Sequence, residues 1–288
     1  MITLTNAFIT ARISPRGAEI QSLSSKETGI EYMWSGDAQY WGKHSPVLFP
    51  IVGGLKDDTY YYQGKAYKLP RHGFAREREF AVTQISATEA VFTLTNDAQT
   101  AAVYPFAFEL QLRYRLQNAT LYCSYEVYNP GDTELLFSVG GHPAFAVPYK
   151  GNSSYSDHYL RFNVTEPLQR WKLENGLVAN HAEPLETDDN ILPLHAALFY
   201  EDAIVLKHIR SNSISLGCTK NAHGLHFSFE DFPFFGIWAA KDAPFVCLEP
   251  WCGIADSVDT DQQLINKEGM NRLEARGRWR REWGVEAW

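Results

Sequence analysis

Three short segments hold the residues whose types and spacing suit chemistry. The first is Pro244–Trp251, PFVCLEPW, in which strand alternation puts Phe245, Cys247 and Glu249 on one face and Val246 and Leu248 on the other. Both faces are otherwise apolar, so the strand reads as buried on both sides. An unpaired carboxylate there would be costly or would take up a proton. Glu249 therefore marks a functional site, a structural ion pair or an exposed strand end, and it is the sharpest single-residue signal in the chain. The second segment is Val139–Phe145, VGGHPAF. Gly140 and Gly141 permit close backbone approach or positive φ. Pro143 keeps His142 out of a helical conformation. The imidazole thus ends an apolar strand on a shaped turn, either as a site residue or as a partly exposed turn histidine. The third is Leu69–Arg76, LPRHGFAR, which groups Arg71, His72 and Arg76 around Gly73, beside Phe74. It is either a charged surface turn or a polar pocket wall. In a pocket wall, Arg71, His72 and Arg76 would donate hydrogen bonds to hydroxyls or bind a phosphate.

The elements that must position these groups follow a period of two. Leu110, Leu112, Tyr114 and Leu116 alternate with Gln111, Arg113 and Arg115, and Leu121, Cys123, Tyr125 and Val127 alternate with polar or amphipathic neighbours. Such alternation predicts half-buried strands. Asn118-Ala119 suits the hairpin turn between them, and Asn129-Pro130-Gly131-Asp132 ends the second run. Further strands are predicted over Ile2–Thr10, Glu19–Leu23, Glu31–Trp34, Ala81–Ile85, Ala90–Thr95, Leu135–Val139 and Tyr159–Asn163. Later ones are predicted over Ile204–His208, Ser213–Leu216, Leu225–Phe229, Phe235–Trp238 and Phe245–Glu249. Helical patterns are confined to Ala196–Tyr200 and Asp261–Glu268, a turn or two each. No βαβ alternation, internal repeat or linker interrupts the pattern. The expected fold is all-β: one large antiparallel β-sandwich domain over residues 1–288, with few short helices. Tyr149–Asp157, YKGNSSYSD, is expected to be a polar loop near a pocket. Aromatic residues make up 14% of the chain, enough to fill such a core or to offer flat faces for stacking a sugar or base.

Several function classes fall away. The formal net charge is −8, a poor field for holding nucleic acid or anionic membrane. There is no G-x-x-x-x-G-K-[ST], no G-x-G-x-x-G opening a helix, no H-E-x-x-H and no G-x-S-x-G. His223 and His226 lie three apart and do not share a strand face, so they make a weak metal signal. The four cysteines, Cys123, Cys218, Cys247 and Cys252, read as reduced thiols. No secretory signal is seen, and no stretch approaches the roughly 20 apolar residues of a membrane span. A cytoplasmic location is expected.

Taken in order, RHGFAR, GGHPAF and LEPWCG resemble the aldose 1-epimerase (galactose mutarotase-like) family. A weaker likeness runs through ISPRGAEIQSL and SPVLFPIVGG. The closest likeness is to the shorter bacterial mutarotase-like proteins. The resemblance implies a galactose mutarotase-like sandwich with a sugar cleft across one face. It implies interconversion of the α and β anomers of a hexose, with no cofactor and no metal. It maps Glu249 onto the catalytic base, His142 onto the general acid and His72 onto a second active-site histidine. Asp202, in YEDAIVLK, is the best match for a substrate-binding acid, and Arg71 and Arg76 for a sugar-touching arginine. Phe74, Trp251, Phe145 and Trp238 are candidate ring faces for the sugar. Pro250-Trp251 after Glu249 is instead similar to the hexose-6-phosphate mutarotase branch, where arginines around an HGFAR-like segment bind phosphate. The implied partner is a small-molecule sugar or sugar phosphate, with no nucleic acid and no membrane, in a monomer or homodimer. A carbohydrate-binding protein that kept the cleft without turnover is the alternative from another class.

Overall fold

The computed structural model describes residues 1–149 and 151–288. Within the predicted loop Tyr149–Asp157, Lys150 lies outside the described residues. Two large antiparallel sheets dominate. The nine-stranded sheet runs, in spatial order, Ile191–Pro193, His158–Phe162, Ser213–Cys218, Leu225–Ser228, Arg278–Ala287, Thr120–Tyr128, Glu109–Gln117, Glu89–Thr95 and Ala81–Ser86. The eight-stranded sheet runs Leu177–Leu185, Leu168–Glu174, Ile204–Lys207, Phe234–Trp238, Phe245–Cys252, Val139–Gly141 and Val47–Leu48, with Ala144–Ala146 also paired to Phe245–Cys252. The fold is the expected all-β architecture of large antiparallel sheets with few short helices.

Alternation explains how the sheets meet. Leu110, Leu112, Tyr114, Leu121, Cys123 and Tyr125 are buried, and Gln111, Arg113 and Tyr122 between them are half-buried. Asn118 takes a φ of 52° at the hairpin between those strands, a value asparagine tolerates. On the eight-stranded sheet, Phe235, Ile237, Ile204, Leu206 and Leu248 join the main core. On the opposite face a second apolar cluster forms from Leu48, Val52, Val178, Ala203, Val205, Phe234, Trp251, Ile254 and Ala255. A sheet apolar on both faces is the reason Phe245–Cys252 is buried at every position.

Some predicted elements differ for identifiable reasons. Ile2–Thr10 is not one strand but the arms of a hairpin, Ile2–Thr5 and Ile9–Ile13. The Asn6 carboxamide accepts the amides of Phe8 and Ile9 at 2.8 and 2.9 Å and turns the chain. Glu31–Trp34 forms only isolated bridges. The Glu31 carboxylate accepts from the Leu23 and Met33 amides at 2.7 and 3.0 Å and so replaces part of a ladder. Of Asp261–Glu268 only Leu264–Asn266 is a 3₁₀ turn, and Ala196–Phe199 is another. The α-helix Ala98–Val103 has too few residues to show a period, and its signal is the cap. Asp97 accepts from the Thr100 amide at 2.8 Å, and the Thr100 hydroxyl accepts from the Asp97 amide at 2.8 Å.

The core's largest fully buried side chain is Trp283. Its indole N–H donates to the Tyr125 hydroxyl at 2.9 Å, and its ring stacks on Phe227 at 5.1 Å. Trp283→Ala should cost about 3–5 kcal/mol of folding free energy, since it opens a large cavity and removes a buried hydrogen bond. Chemical denaturation monitored by fluorescence checks this; a loss below about 1 kcal/mol would contradict the packing described.

Candidate active site

The second apolar cluster floors a cavity of about 390 Å³. Strand register builds its chemical end. Phe245–Cys252 pairs on one side with two short strands, Gly140 opposite Trp251 and Ala144 opposite Cys247. Carried through the intervening turn, that register sets His142 opposite Glu249. Cross-strand partners share a face, and His142 Nε2 stands 3.3 Å from Glu249 Oε2. Pro143 and Pro250 flank this pair and have no N–H to give the ladder. On the other side Glu249 faces Gly236. A Cβ at Gly236 would overlap the Trp251 ring, and one at Gly140 would also crowd it. The two glycines thus let the indole lie against the sheet as part of the floor.

His72 arrives on a strained turn. Its φ is 69°, and that of Gly73 is 70°. A Cβ on Gly73 would overlap the Phe49 carbonyl, so only glycine fits. His72 Nδ1 accepts the Gly53 amide at 3.1 Å, which leaves Nε2 to carry the hydrogen of the neutral ring. Its ring meets that of His142 edge-on at 5.8 Å. Trp41 stacks on His142 at 4.9 Å, and Trp238 meets it edge-on at 5.6 Å. His142 is therefore held by rings, and its buried Nδ1 has no hydrogen-bond partner.

Arg71 and Arg76 form the wall. The Arg76 guanidinium donates from Nη2 to the Arg71 carbonyl at 2.8 Å, and its buried Nε has no partner. The adjacent Glu77 carboxylate is already engaged by Arg16 and Lys43, each at 2.7 Å. Arg71 lies over Gly176, at the turn between Leu168–Glu174 and Leu177–Leu185; a Cβ there would overlap Nη2. Among the described residues neither Arg71 nor Arg76 forms an ion pair. The backbone next to Arg71 is pinned from behind by a buried pair, Lys267 Nζ to Asp256 Oδ1 at 2.7 Å. Asp256 also accepts the Lys56 amide at 3.0 Å, and its backbone joins Gly54 and Val178.

Of the residues expected from sequence, Glu249, His142, His72, Arg71, Arg76, Asp202, Trp251 and Trp238 all line this cavity. Phe74 and Phe145 do not. Phe74 packs against Phe49, Tyr104 and Phe108, so the ring beside His72 serves the core. Phe145, fully buried, packs on Phe227. Trp41 and Gly176 were not foreseen. Trp41 lies in a loop without periodicity, and for Gly176 the only local signal is the Asn175-Gly176 turn dipeptide.

Burial dominates the electrostatics. It pushes the Glu249 carboxyl well above the ordinary carboxylate range, with Trp251 and Arg71 opposing and Asp202 adding to the rise. It pulls His142 down to about 3, opposed by the polar backbone of His142 itself and helped by Arg76 and Arg71. His72 falls well below its usual value through burial, then His142, Arg76 and Arg71. Burial thus favours a carboxylic acid facing a neutral imidazole.

A large antiparallel sandwich with a carboxyl and an imidazole facing each other in an aromatic-walled cleft defines a mutarotase-like protein. The aldose 1-epimerase family model matches residues 1–263. Protein LacX of Lactococcus lactis subsp. lactis is 30% identical over 282 residues, 94% of each chain. The galactose mutarotase related enzyme from Lactobacillus acidophilus is 37% identical, with a TM-score of 0.96 over 100% of this chain and 97% of its own. A galactose mutarotase-like protein from Lactobacillus casei ATCC 334 is 32% identical, with a TM-score of 0.92 over 100% of both chains. The chain belongs to the aldose 1-epimerase family and is an isomerase.

The raised carboxyl predicts a stability signature. A group whose pKa is higher folded than unfolded contributes stability at low pH and loses it as pH rises through the folded value. Glu249→Gln should therefore match the wild type below the ordinary carboxylate range. Above it, the variant should gain by about 1.4 kcal/mol per pH unit until the folded pKa is reached. Denaturation of both proteins across a pH series tests this; a variant less stable than wild type at neutral pH would refute it.

Proposed function

We propose that the protein interconverts the α and β anomers of a hexose, with Glu249 and His142 as the proton-transfer pair. The carrying observation is their buried 3.3 Å approach at the floor of the cavity. A pyranose is a hemiacetal. Opening it requires loss of the C1 hydroxyl proton and delivery of a proton to the ring oxygen. Glu249 takes the first and imidazolium His142 gives the second. The ring C–O bond breaks as C1 becomes an aldehyde carbonyl. Rotation about C1–C2 exposes the other carbonyl face. On closure Glu249 returns its proton to O1 and His142 recovers one from O5. The residue pair carries one proton throughout. On this reading Nε2–H of His72 donates to a hydroxyl at the same end, and Trp41, Trp238 and Trp251 take the ring's C–H edges. Asp202, which lines the same cavity, accepts from another hydroxyl on this reading. The four cysteines are buried and unpaired, which supports action in the cytoplasm.

The unpaired guanidinium groups of Arg71 and Arg76 favour a second reading, in which the hexose carries a phosphate. A dianionic group on that wall would meet two cations that are not already in ion pairs.

Exchange between anomers, followed by polarimetry or two-dimensional NMR, tests the reaction. Glu249→Gln should slow it by ~10²–10⁴-fold, the span of one positioned proton transfer. Equal rates for both proteins would end the assignment, and sugar binding without exchange would favour a non-catalytic receptor. For the phosphosugar, Arg76→Ala should raise KM for the phosphorylated hexose by at least ~10-fold and leave the parent sugar nearly unchanged. No preference for the phosphorylated form would exclude that version.

A further inference from the structure

Cys247 stands behind the proposed proton-transfer pair and has no part in the chemistry above. It is two residues before Glu249 on the same strand face, and it is diagonal to His142 across the pairing. Its thiol is fully buried and does not line the cavity. One donor atom from each of His142, Cys247 and Glu249 lies within 4.8 Å of the other two. We propose that His142 Nε2, Cys247 Sγ and Glu249 Oε2 form a three-ligand site for a thiophilic divalent cation, with Zn²⁺ the expected occupant, that shuts off the isomerase.

Three observations carry it. The donor set is one imidazole, one thiolate and one carboxylate, which suits Zn²⁺ and excludes Mg²⁺ or Ca²⁺. One edge of the site already has coordination spacing, and the sulfur closes on it from within 4.8 Å. Zinc bonds of ~2.0–2.2 Å at a tetrahedral angle separate nitrogen and oxygen ligands by ~3.4 Å, and His142 Nε2 and Glu249 Oε2 already stand at 3.3 Å. That approach is not a hydrogen bond: Glu249 Oε2 is a buried atom with no hydrogen-bond partner. Charge also balances. The cation displaces one proton from the thiol and any proton on the carboxyl, both leaving to solvent. A dication with one thiolate, one carboxylate and a neutral imidazole leaves this desolvated pocket with no net charge. The fourth position opens on the cavity and is filled by water. The bound cation would hold both groups that must exchange protons with the sugar. The inhibitory part of this inference rests on the proposed function, whereas the binding part does not.

Cobalt(II) substitution tests the binding directly. Wild-type protein titrated with Co²⁺ should develop a thiolate-to-cobalt charge-transfer band in the near ultraviolet. The band should saturate at one ion per chain, be bleached by Zn²⁺ and be absent in Cys247→Ser. No band in the wild type, or a band of equal strength in Cys247→Ser, would overturn the site; the latter would assign the band to Cys123, Cys218 or Cys252. In the exchange assay, Zn²⁺ should inhibit the wild type reversibly with EDTA. Cys247→Ser should raise the half-inhibitory concentration by at least ~10-fold, the scale on which even outer-shell changes act. Equal inhibition of the two proteins would overturn ligation by Cys247. Should the band appear in a protein that exchanges no sugar, the metal site stands and the isomerase reaction falls.

Discussion

A carboxyl group buried on a strand that is apolar on both faces constrains everything around it. Glu249 needs a partner on its own face, and antiparallel register supplies His142 from directly across. It also needs a neighbouring strand that leaves room above it, and Gly236 does so. The vacated volume is filled by Trp251 from two residues along, resting between Gly236 and Gly140. Pro143 and Pro250 then make sense in an otherwise central strand pair. Proline is disfavoured there because it cannot donate to the ladder. Here the ladder is interrupted at the turn that carries His142, so the missing donors strand no acceptor that the pairing needs. The two most unusual residues for a central strand are thus part of how the sheet opens a site in its middle.

The same burial decides which protonation state is resting. Moving one proton from imidazolium to carboxylate turns a buried ion pair into two neutral groups, and burial favours the neutral form on both sides of that exchange. On the proposed chemistry, the neutral pair is also the state that accompanies the open-chain aldehyde. Ring opening then moves the enzyme from its disfavoured to its favoured protonation state. A dry pocket therefore lowers the open-chain complex relative to the cyclic one, and a cyclic sugar that binds must first draw charge onto the pair. Hydroxyls of the sugar, the Nε2–H of His72 and the Arg71 guanidinium are the groups available to steady that charge. Polar preorganisation of this kind acts where charge changes during reaction.

Much of this was legible in the sequence, and the limits follow from the physics. Period-two alternation between Leu110 and Val127 exposed the sandwich, because a half-buried strand leaves that trace. Glu249 stood out because a carboxylate among Phe245, Val246, Cys247 and Leu248 has no cheap explanation. His142 and the Arg71–Arg76 turn were visible through their glycines and prolines. What stayed hidden depends on distant pairing. Nothing local shows that His142 and Glu249 share a register, that Gly176 clears space for Arg71, or that Trp41 stacks on His142. Phe74 illustrates the opposite error. It adjoins His72 in sequence, yet a turn with two consecutive positive φ values sends its ring to the core and the imidazole to the cavity.

The arginine wall shows why net charge is a poor guide to a site. The chain carries a formal charge of −8, which argues against polyanionic partners on average. Yet Arg71 and Arg76 reach the cavity without a carboxylate, since Arg16 and Lys43 claim Glu77 first. At an ionic strength of 0.15 M, exposed charges more than about 8 Å away are largely screened, whereas groups inside a low-dielectric cleft are not. The acidic surface therefore contributes little to what the cleft experiences. Its potential is set by two guanidinium groups and by imidazoles and a carboxyl whose neutral forms burial favours. Asp202 is the one lining acid left to oppose them. An acidic protein has in this way built a locally cationic end to its cavity, and on the proposed readings the same guanidinium groups serve sugar hydroxyls or an anionic substituent on the sugar.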